Sequence, residues 1–500
     1  GETQLACVPD YAAGSYECAC GGIYVSDGAG GCRLEPDAEW TILWYLAMDN
    51  NLYYQTAHEL DDVAAAGLSP DVRVVALVDR LDETAGYYAE FNGGGFDRVV
   101  ELGADPDTGD WTTLRDFGAW AVENYPAQHY ALVIADHGGA WKSASADPRR
   151  SNPLTRAICW DDDSDTPEDG IGITNGDLAA ALGGIVDAAG RRMDIVVYDA
   201  CLMSEWETAN ATEPFADYMV ASEDSSYGFM VREGAWTDWL DGLVAGADTM
   251  SPLDVAEFFV DNYRATMDGM AQYVTTAALT DLDAVDDLNV AVSGFADSLM
   301  ANASETFFDE LDGIRRGAQQ MAYNELVDLT DFARLVSEMS GVPADVATAA
   351  DELRAQLDIS VVHSYANIDL QGWNPYYGSV GLAGQNGLSV YLPGRYYDLA
   401  SEYTDAGAVW SDRATWDDFL ATFTTGGYAS CAGAAPVMDY MEDTVGSSVE
   451  IQDCCGSQVL AQTFRAPGPE LHGLRIAVRK TATDSAFHEG FYFALYRPGH

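Results

Sequence analysis

The 500-residue chain carries 81 acidic residues against 24 basic ones, a formal net charge of −57, and its only lysines are Lys142 and Lys480. Nucleic acid and anionic membrane repel such a surface, so both are excluded as partners; the charge reads mainly as solubility in a salty or extracellular setting, and secondarily as attraction for cationic substrates. At 48% hydrophobic and 11% aromatic the chain can fill more than one core, so two or three domains are expected, and no apolar run reaches the ~18 residues of a membrane helix.

The chain begins with Gly rather than Met, which leaves room for a leader upstream; no signal peptide is read in it. Residues 1–36 form the first unit. "CVPDYAAGSYECACGGIYVSDGAGGC" holds Cys7, Cys18, Cys20 and Cys32 in a short glycine-rich stretch, and Cys431, Cys454 and Cys455 cluster near the other end. Terminal clusters of this kind indicate disulfides and an oxidising compartment, hence a secreted or cell-surface protein. Nine cysteines cannot all pair within one chain, and Cys201 is the expected free thiol. The first segment resembles the second half of an EGF-like module, which implies a Cys20–Cys32 disulfide. Cys7 and Cys18 then pair with each other, or with cysteines of a longer module.

From Trp40 the pattern becomes alternating strands and helices, the start of a domain placed at 37–428. "WTILWYLAMD" is an apolar strand ended by Asp49-Asn50-Asn51. "LYYQTAHELDDVAAAG" is a helix with Leu52, Ala57, Leu60 and Val63 at helical spacing and Gly67 as its stop. "DVRVVALVDR" is a strand, "DFGAWAVENYP" a helix closed by Pro126, and "HYALVIADHGG" a strand. "TNGDLAAALGGIVDAAG" is a helix, with "DIVVYDAC" and "DYMVASED" as later strands. Continuous Val/Ile/Leu strands alternating with helices predict an α/β fold, a mostly parallel sheet covered on both faces. Ligands of such sheets bind beyond the carboxyl ends of the strands, where Asp136-His137-Gly138, Asp199-Ala200-Cys201 and Glu223-Asp224 collect.

A cysteine at the end of a buried strand, leading into a helix, is expected to face the cleft near helix N-terminal amides. Those amides and an adjacent imidazole lower a thiol pKa. His137 ends a neighbouring strand in the same way and is placed to meet Cys201. The glycine after it allows close backbone approach, so the amides of Gly138 and Cys201 are candidate oxyanion donors. Asp136 precedes His137, but adjacent strand residues point opposite ways, so it is given a structural role.

These segments, together with "YLAMDNNLYYQTAHELDDV", "WDDDSDTPEDGIGITNGDLAAAL", "VASEDSSYGF" and "GLSVYLPG", resemble the clostripain family of caspase-like cysteine peptidases, in the family's order and over roughly residues 40–425. The resemblance implies a caspase-like α/β/α sandwich and cleavage of peptides after a basic residue, Arg before Lys, with Cys201 as nucleophile and His137 as general base. Asp199 falls where the family places an acidic residue for the substrate's basic side chain, and Glu223 or Asp224 is the candidate for a second carboxylate. The chemistry requires no cofactor, although the resemblance brings with it calcium of a structural or activating kind. "DDDSDTPEDG" offers Asp161, Asp163, Asp165 and Asp169 as oxygen ligands, but lacks the glycine and terminal glutamate of an EF-hand, so no such site is read there.

The stretch "WKSASADPRRSNPLTRAICW" is polar, aperiodic and holds Lys142, Arg149, Arg150 and Arg156 in an otherwise acidic chain; its composition is that of an exposed loop. Family zymogens cut themselves between the two catalytic residues, so the resemblance implies self-cleavage in the loop 142–158, after Arg150, with Arg149 and Arg156 as alternatives. Residues 429–500 alternate like antiparallel strands and read as a β-sandwich-like accessory domain that stops short of completion, with carbohydrate or protein as candidate ligands. The competing reading of the whole chain is a non-enzymatic adhesin or binding protein on the same scaffold.

Overall fold

The computed structural model describes residues 38–141, 158–162, 170–268, 270, 273–367, 382–397, 399–404 and 408–424, with the backbone of four short N-terminal strands and of a hairpin between 372 and 380. The expected cleavage loop with Arg149, Arg150 and Arg156, the side chains of Cys20 and Cys32, and the expected accessory domain lie outside the described residues. The chain divides into two compact units, Gly1–Thr424 and Thr425–His500. In the N-terminal segment Leu5–Asp10 pairs antiparallel with Ser15–Cys20, a register that sets Cys7 opposite Cys18.

The first half of the domain builds most of one sheet. Its elements are β1 (Ala38–Met48), α1 (Tyr53–Ala64), β2 (Val72–Arg80), β3 (Tyr87–Phe91), β4 (Phe96–Glu101), α2 (Trp111–Asn124) and β5 (Ala127–Ala135), then α3 (Asp177–Ala189), β6 (Met193–Asp199), α4 (Trp206–Thr212) and β7 (Ala216–Ala221). The second half is mainly helical: α5 (Ala235–Gly246), α6 (Pro252–Met267), β8 (Thr276–Asp281), α7 (Val285–Ala301), α8 (Glu305–Gly317), β9 (Leu326–Asp328), α9 (Leu329–Ser337), α10 (Ala344–Ser360), β10 (Val361–Ala366), β11 (Ser389–Tyr391) and α11 (Trp416–Thr424). The nine-stranded sheet runs β10-β8-β7-β6-β5-β1-β2-β3-β4. The five central strands are parallel, and two antiparallel strands extend each edge.

Period-two alternation sends each central strand into both layers. From β1, Leu43, Tyr45 and Ala47 join the core under α2, α3, α4 and α7 to α11. Trp40, Ile42, Trp44, Leu46 and Met48 join the opposite core, with Trp236 and Trp239 of α5 and Phe259 of α6. This is the expected α/β/α layering, with a sheet wider than its parallel part. The hairpin β3–β4 and the closing pair β8/β10 have no counterpart among the elements read from sequence.

Helix α1 corrects the sequence reading in one respect. Ala57 is exposed, and the buried face is Thr56, Glu59, Leu60 and Val63. A glutamate thus occupies a core-facing position, with consequences for the site. Helix α6 starts where its cap chemistry dictates: Ser251 and Asp254 form a reciprocal capping box around Pro252.

Leu132 sits fully buried in β5 between β1 and β6. Its truncation removes transfer energy and leaves a cavity in a layer that relaxes little. Leu132→Ala is expected to lower unfolding free energy by about 2–5 kcal/mol, read as a reduced urea midpoint at unchanged m-value.

Candidate active site

The parallel pairing of β5 and β6 sets Ala135 opposite Asp199, and the Asp136 amide donates to the Asp199 carbonyl at 3.4 Å. His137 and Cys201 follow directly, beyond the carboxyl ends of adjacent strands. Gly138 closes the approach: a Cβ built there would lie 2.2 Å from the Cys201 carbonyl oxygen and 3.1 Å from its amide nitrogen. Only glycine fits so close to another backbone.

The Cys201 surroundings differ from those expected. The chain does not enter a helix at once. It turns at Leu202, a non-glycine residue with φ of 64°, makes a bridge from Glu205 to Ser389, and starts α4 at Trp206. The amide at the thiol is that of Ser226, which donates to Sγ at 3.4 Å, while the Ser226 carbonyl lies 3.5 Å from Sγ. Burial, then the charges of Asp224, Asp199 and Asp136, push the thiol up to about 11 despite that amide. Burial lowers His137 to about 4. The resting pair is therefore a neutral thiol with a neutral imidazole, not the preformed thiolate expected from helix-terminal amides.

His137 is held on two sides. Its ring stacks on Trp160 with centroids 4.7 Å apart, and Nε2 lies 2.9 Å from Asn51 Oδ1. With a carbonyl acceptor there, Nε2 carries the ring proton and Nδ1 is the basic nitrogen. Asp136 points the other way, as expected, into a buried network. It accepts from Asn50 Nδ2 at 2.6 Å and from the Trp160 amide, and Asn50 also donates to the Trp160 carbonyl at 2.8 Å. Asn50, Asn51, Trp160 and Ser226 were not singled out from sequence. The adjacent amides Asn50-Asn51 carried a usable signal, since they end a buried strand on the ligand side of the sheet.

Asp199 is half-buried beside Ser226, whose Oγ approaches Oδ1 at 3.4 Å, and beneath Gly228, where a Cβ would meet both carboxylate oxygens within 3 Å. Burial raises it to about 6. Of the two candidates for a second carboxylate, Glu223 faces elsewhere: its carboxylate is taken by Gln385 Nε2 and by the Gly387 amide at 2.9 Å, next to Asp328. Asp224 accepts from the Ser225 amide at 2.7 Å, and its carbonyl pins the Leu202 amide at 2.9 Å, behind the cysteine turn. The carboxyl on which the Asp199 charge does bear is that of Glu59 of α1. It is fully buried, accepts from Trp236 Nε1 at 3.3 Å, and is raised to about 8 by burial and by the Asp199 charge. Polarity alone made Glu59 look like part of a solvated helix face.

The comparisons agree with this geometry. The model of the Clostripain family matches residues 44–423. Clostripain of Hathewaya histolytica is 23% identical over 443 residues, 77% of this chain and 80% of that protein. A secreted cysteine protease of Bacteroides thetaiotaomicron, solved in complex with an irreversible peptide inhibitor, superposes with a TM-score of 0.57 at 17% identity, covering 76% of this chain and all of that one. The inactive zymogen of a protease from Parabacteroides distasonis does so with a TM-score of 0.53 at 17% identity, over 78% and 99%. At such identity the two structures speak for the fold, and the family match carries the chemistry and removes support for a non-enzymatic adhesin. With a cysteine and a histidine side by side at the strand ends of that fold, the chain belongs to the clostripain family of cysteine peptidases.

Proposed function

We propose that the chain is a secreted endopeptidase that cleaves after basic residues, Arg before Lys, with Cys201 as nucleophile and His137 as general base. The observation that carries this reading is the juxtaposition of a half-buried carboxylate, Asp199, with the thiol two residues on. His137 takes the thiol proton as Sγ attacks the scissile carbonyl, and then returns it to the leaving amine. The abutting backbones of Gly138 and Cys201 support their amides as the oxyanion donors. A thioester forms as the amine leaves, and water hydrolyses it with His137 again as base. No cofactor enters any of these steps.

Asp199 and Glu59 form the floor of the pocket for the basic side chain in this reading. Burial raises both carboxyls, Glu59 with help from the Asp199 charge, and an entering guanidinium favours their ionised forms. Glu223 and Asp224 are left out of the pocket, being committed to the 385–387 loop and to the cysteine turn. The inactive zymogen of the Parabacteroides distasonis protease supports an activation step, which in this reading is self-cleavage in loop 142–158, after Arg150, with Arg149 and Arg156 as alternatives. Ile158 bridges both Gly138 and Ile171, so the chain re-enters the domain beside the histidine.

Two outcomes are expected. Wild-type protein should split into two bands, the second starting at Ser151, and hydrolyse an Arg chromogenic peptide, while Cys201→Ala stays whole and inactive. Equal splitting of Cys201→Ala would show that the cut is not its own. Asp199→Asn should lower kcat/KM for Arg peptides by 100-fold or more, as expected when about 3–5 kcal/mol of charge pairing is lost, with Cys201 still alkylated by iodoacetamide.

The pH profile separates the roles. Asp199 binds cations when ionised, so wild-type kcat/KM on Arg peptides should fall as pH drops through about 6. His137 remains a neutral base down to about 4. The residual activity of Asp199→Asn should therefore keep its plateau to lower pH, with its acid limb moved toward 4. An unmoved limb would assign the pH 6 group to another residue.

A further inference from the structure

The loop that follows β7 carries the Ser226 amide to the thiol, and two buried hydroxyls hold that loop. Tyr263 stands on α6 and Thr275 directly precedes β8; both are buried. Their side-chain oxygens lie 2.5 Å apart. Thr275 has one hydroxyl proton, and it goes to the Ser225 carbonyl at 2.7 Å. Tyr263 is therefore the donor between the two, and its oxygen in turn accepts from the Tyr227 amide at 3.1 Å. Burial holds the Tyr263 phenol above its ordinary pKa, so it stays a donor. Thr276 anchors the start of the same loop, its Oγ1 accepting from the amides of Glu223 and Asp224 at 2.9 and 3.2 Å.

A trans peptide unit is planar and points its C=O and N–H to opposite sides, and no cis peptide occurs among the described residues. The unit between Ser225 and Ser226 has its carbonyl on Thr275 and its amide 3.4 Å from Cys201 Sγ. The next unit has its amide on Tyr263 and its carbonyl, that of Ser226, 3.5 Å from the same sulfur. Each plane is thus tied at one end to the hydroxyl pair and aimed at the thiol with the other. We propose that Tyr263 is a positioning residue for Cys201, acting with Thr275 through the two peptide planes that flank Ser226. The proposal rests on Cys201 being the nucleophile. The neutral thiol donates to the Ser226 carbonyl; once His137 has taken the proton, the Ser226 amide donates to the thiolate, a charge-assisted bond. That amide opposes the burial and the acidic charges that push the thiol up. Without the hydroxyl pair the two planes are free to rotate, and the thiolate loses its aimed donor.

The reactivity of the thiol tests this without turnover. In the full chain at about pH 8, alkylation of Cys201 by iodoacetamide is followed by peptide mass, beside hydrolysis of the Arg chromogenic peptide. A thiol raised by one pKa unit holds about a tenth of the thiolate, offset about threefold by its greater nucleophilicity, so its alkylation slows about threefold. Tyr263→Phe keeps the ring and Thr275→Val keeps the shape. Each should slow alkylation about threefold or more and lower kcat at least as much, with KM within about twofold of the parent. Thr275→Ser, which retains the hydroxyl, should react at the parent rate. The double variant Tyr263→Phe/Thr275→Val should be no slower than the slower single one, because both act through one relay. Tyr45→Phe removes a buried phenol that donates to the Thr108 carbonyl at 2.8 Å, and should change neither rate. Alkylation of Tyr263→Phe and Thr275→Val at the parent rate, or losses that multiply in the double variant, would overturn the proposal. So would equal slowing of Tyr45→Phe, since any lost buried hydroxyl would then suffice. A parent without turnover would count against the peptidase specificity proposed above, while the alkylation rates still decide the role of Tyr263.

Discussion

Everything at the site depends on one pairing, the parallel register of Ala127–Ala135 with Met193–Asp199. Two strands separated by a long crossover emerge side by side, and the second residues past their ends are a histidine and a cysteine. Parallel strands in a sheet covered on both faces have little freedom to slip, because a shift of one residue would expose a core-facing row on each side. The geometry of the candidate site is therefore inherited from the packing of Leu132, Ile134, Val196 and Tyr198 on one face and of Val133, Ile195 and Val197 on the other. Gly138 is where this inheritance is tightest, since the two backbones touch there with no room for a Cβ.

Buried carboxylates are the second theme. A chain with a net charge of −57 would be expected to keep its acids in water, yet Asp49, Glu59, Asp79, Asp136, Glu223 and Asp224 are all buried near the carboxyl edge of the sheet, and Asp199 is half-buried there. Some are compensated by amides, as Asp136 is by Asn50 and Glu223 by Gln385 and Gly387. Others are raised by burial and by a neighbouring acid, as Glu59 is by Asp199. Burial, with this negative field added to it, raises the Cys201 thiol, and burial lowers the His137 imidazole, so both groups rest uncharged.

The parallel core was legible because apolar strands buried on both faces have a distinctive continuous pattern, and because chemistry-bearing residues ended three of them. The hairpin β3–β4 was harder: "YYAEF" and "FDRVVE" mix exposed charge with apolar residues, as an edge must, and only their pairing with β2 makes them strands. Strands β8 and β10 are brought together across α7 to α10, a separation no local pattern encodes. Glu59 escaped notice because periodicity assigns a glutamate to the wet side of a helix; Ala57 was credited to the core for the complementary reason. The helix expected to follow Cys201 was displaced by five residues because the turn at Leu202 is pinned by the Asp224 carbonyl, a long-range bond.

The sheet's connectivity has a consequence for the lifetime of the folded protein. The segment between Trp141 and Ile158 joins β5 to the part of the chain that carries β6, and these two strands are neighbours at the sheet's centre. A break in that segment leaves every strand pairing in place, so the native state hardly registers it. The unfolded state changes completely, because one molecule becomes two. Refolding turns from a first-order into a second-order reaction, and the stability of the cut form becomes dependent on its concentration. At high dilution, separated pieces would rarely meet again. Survival would then be governed by the rate at which the sheet first opens, a kinetic rather than an equilibrium property.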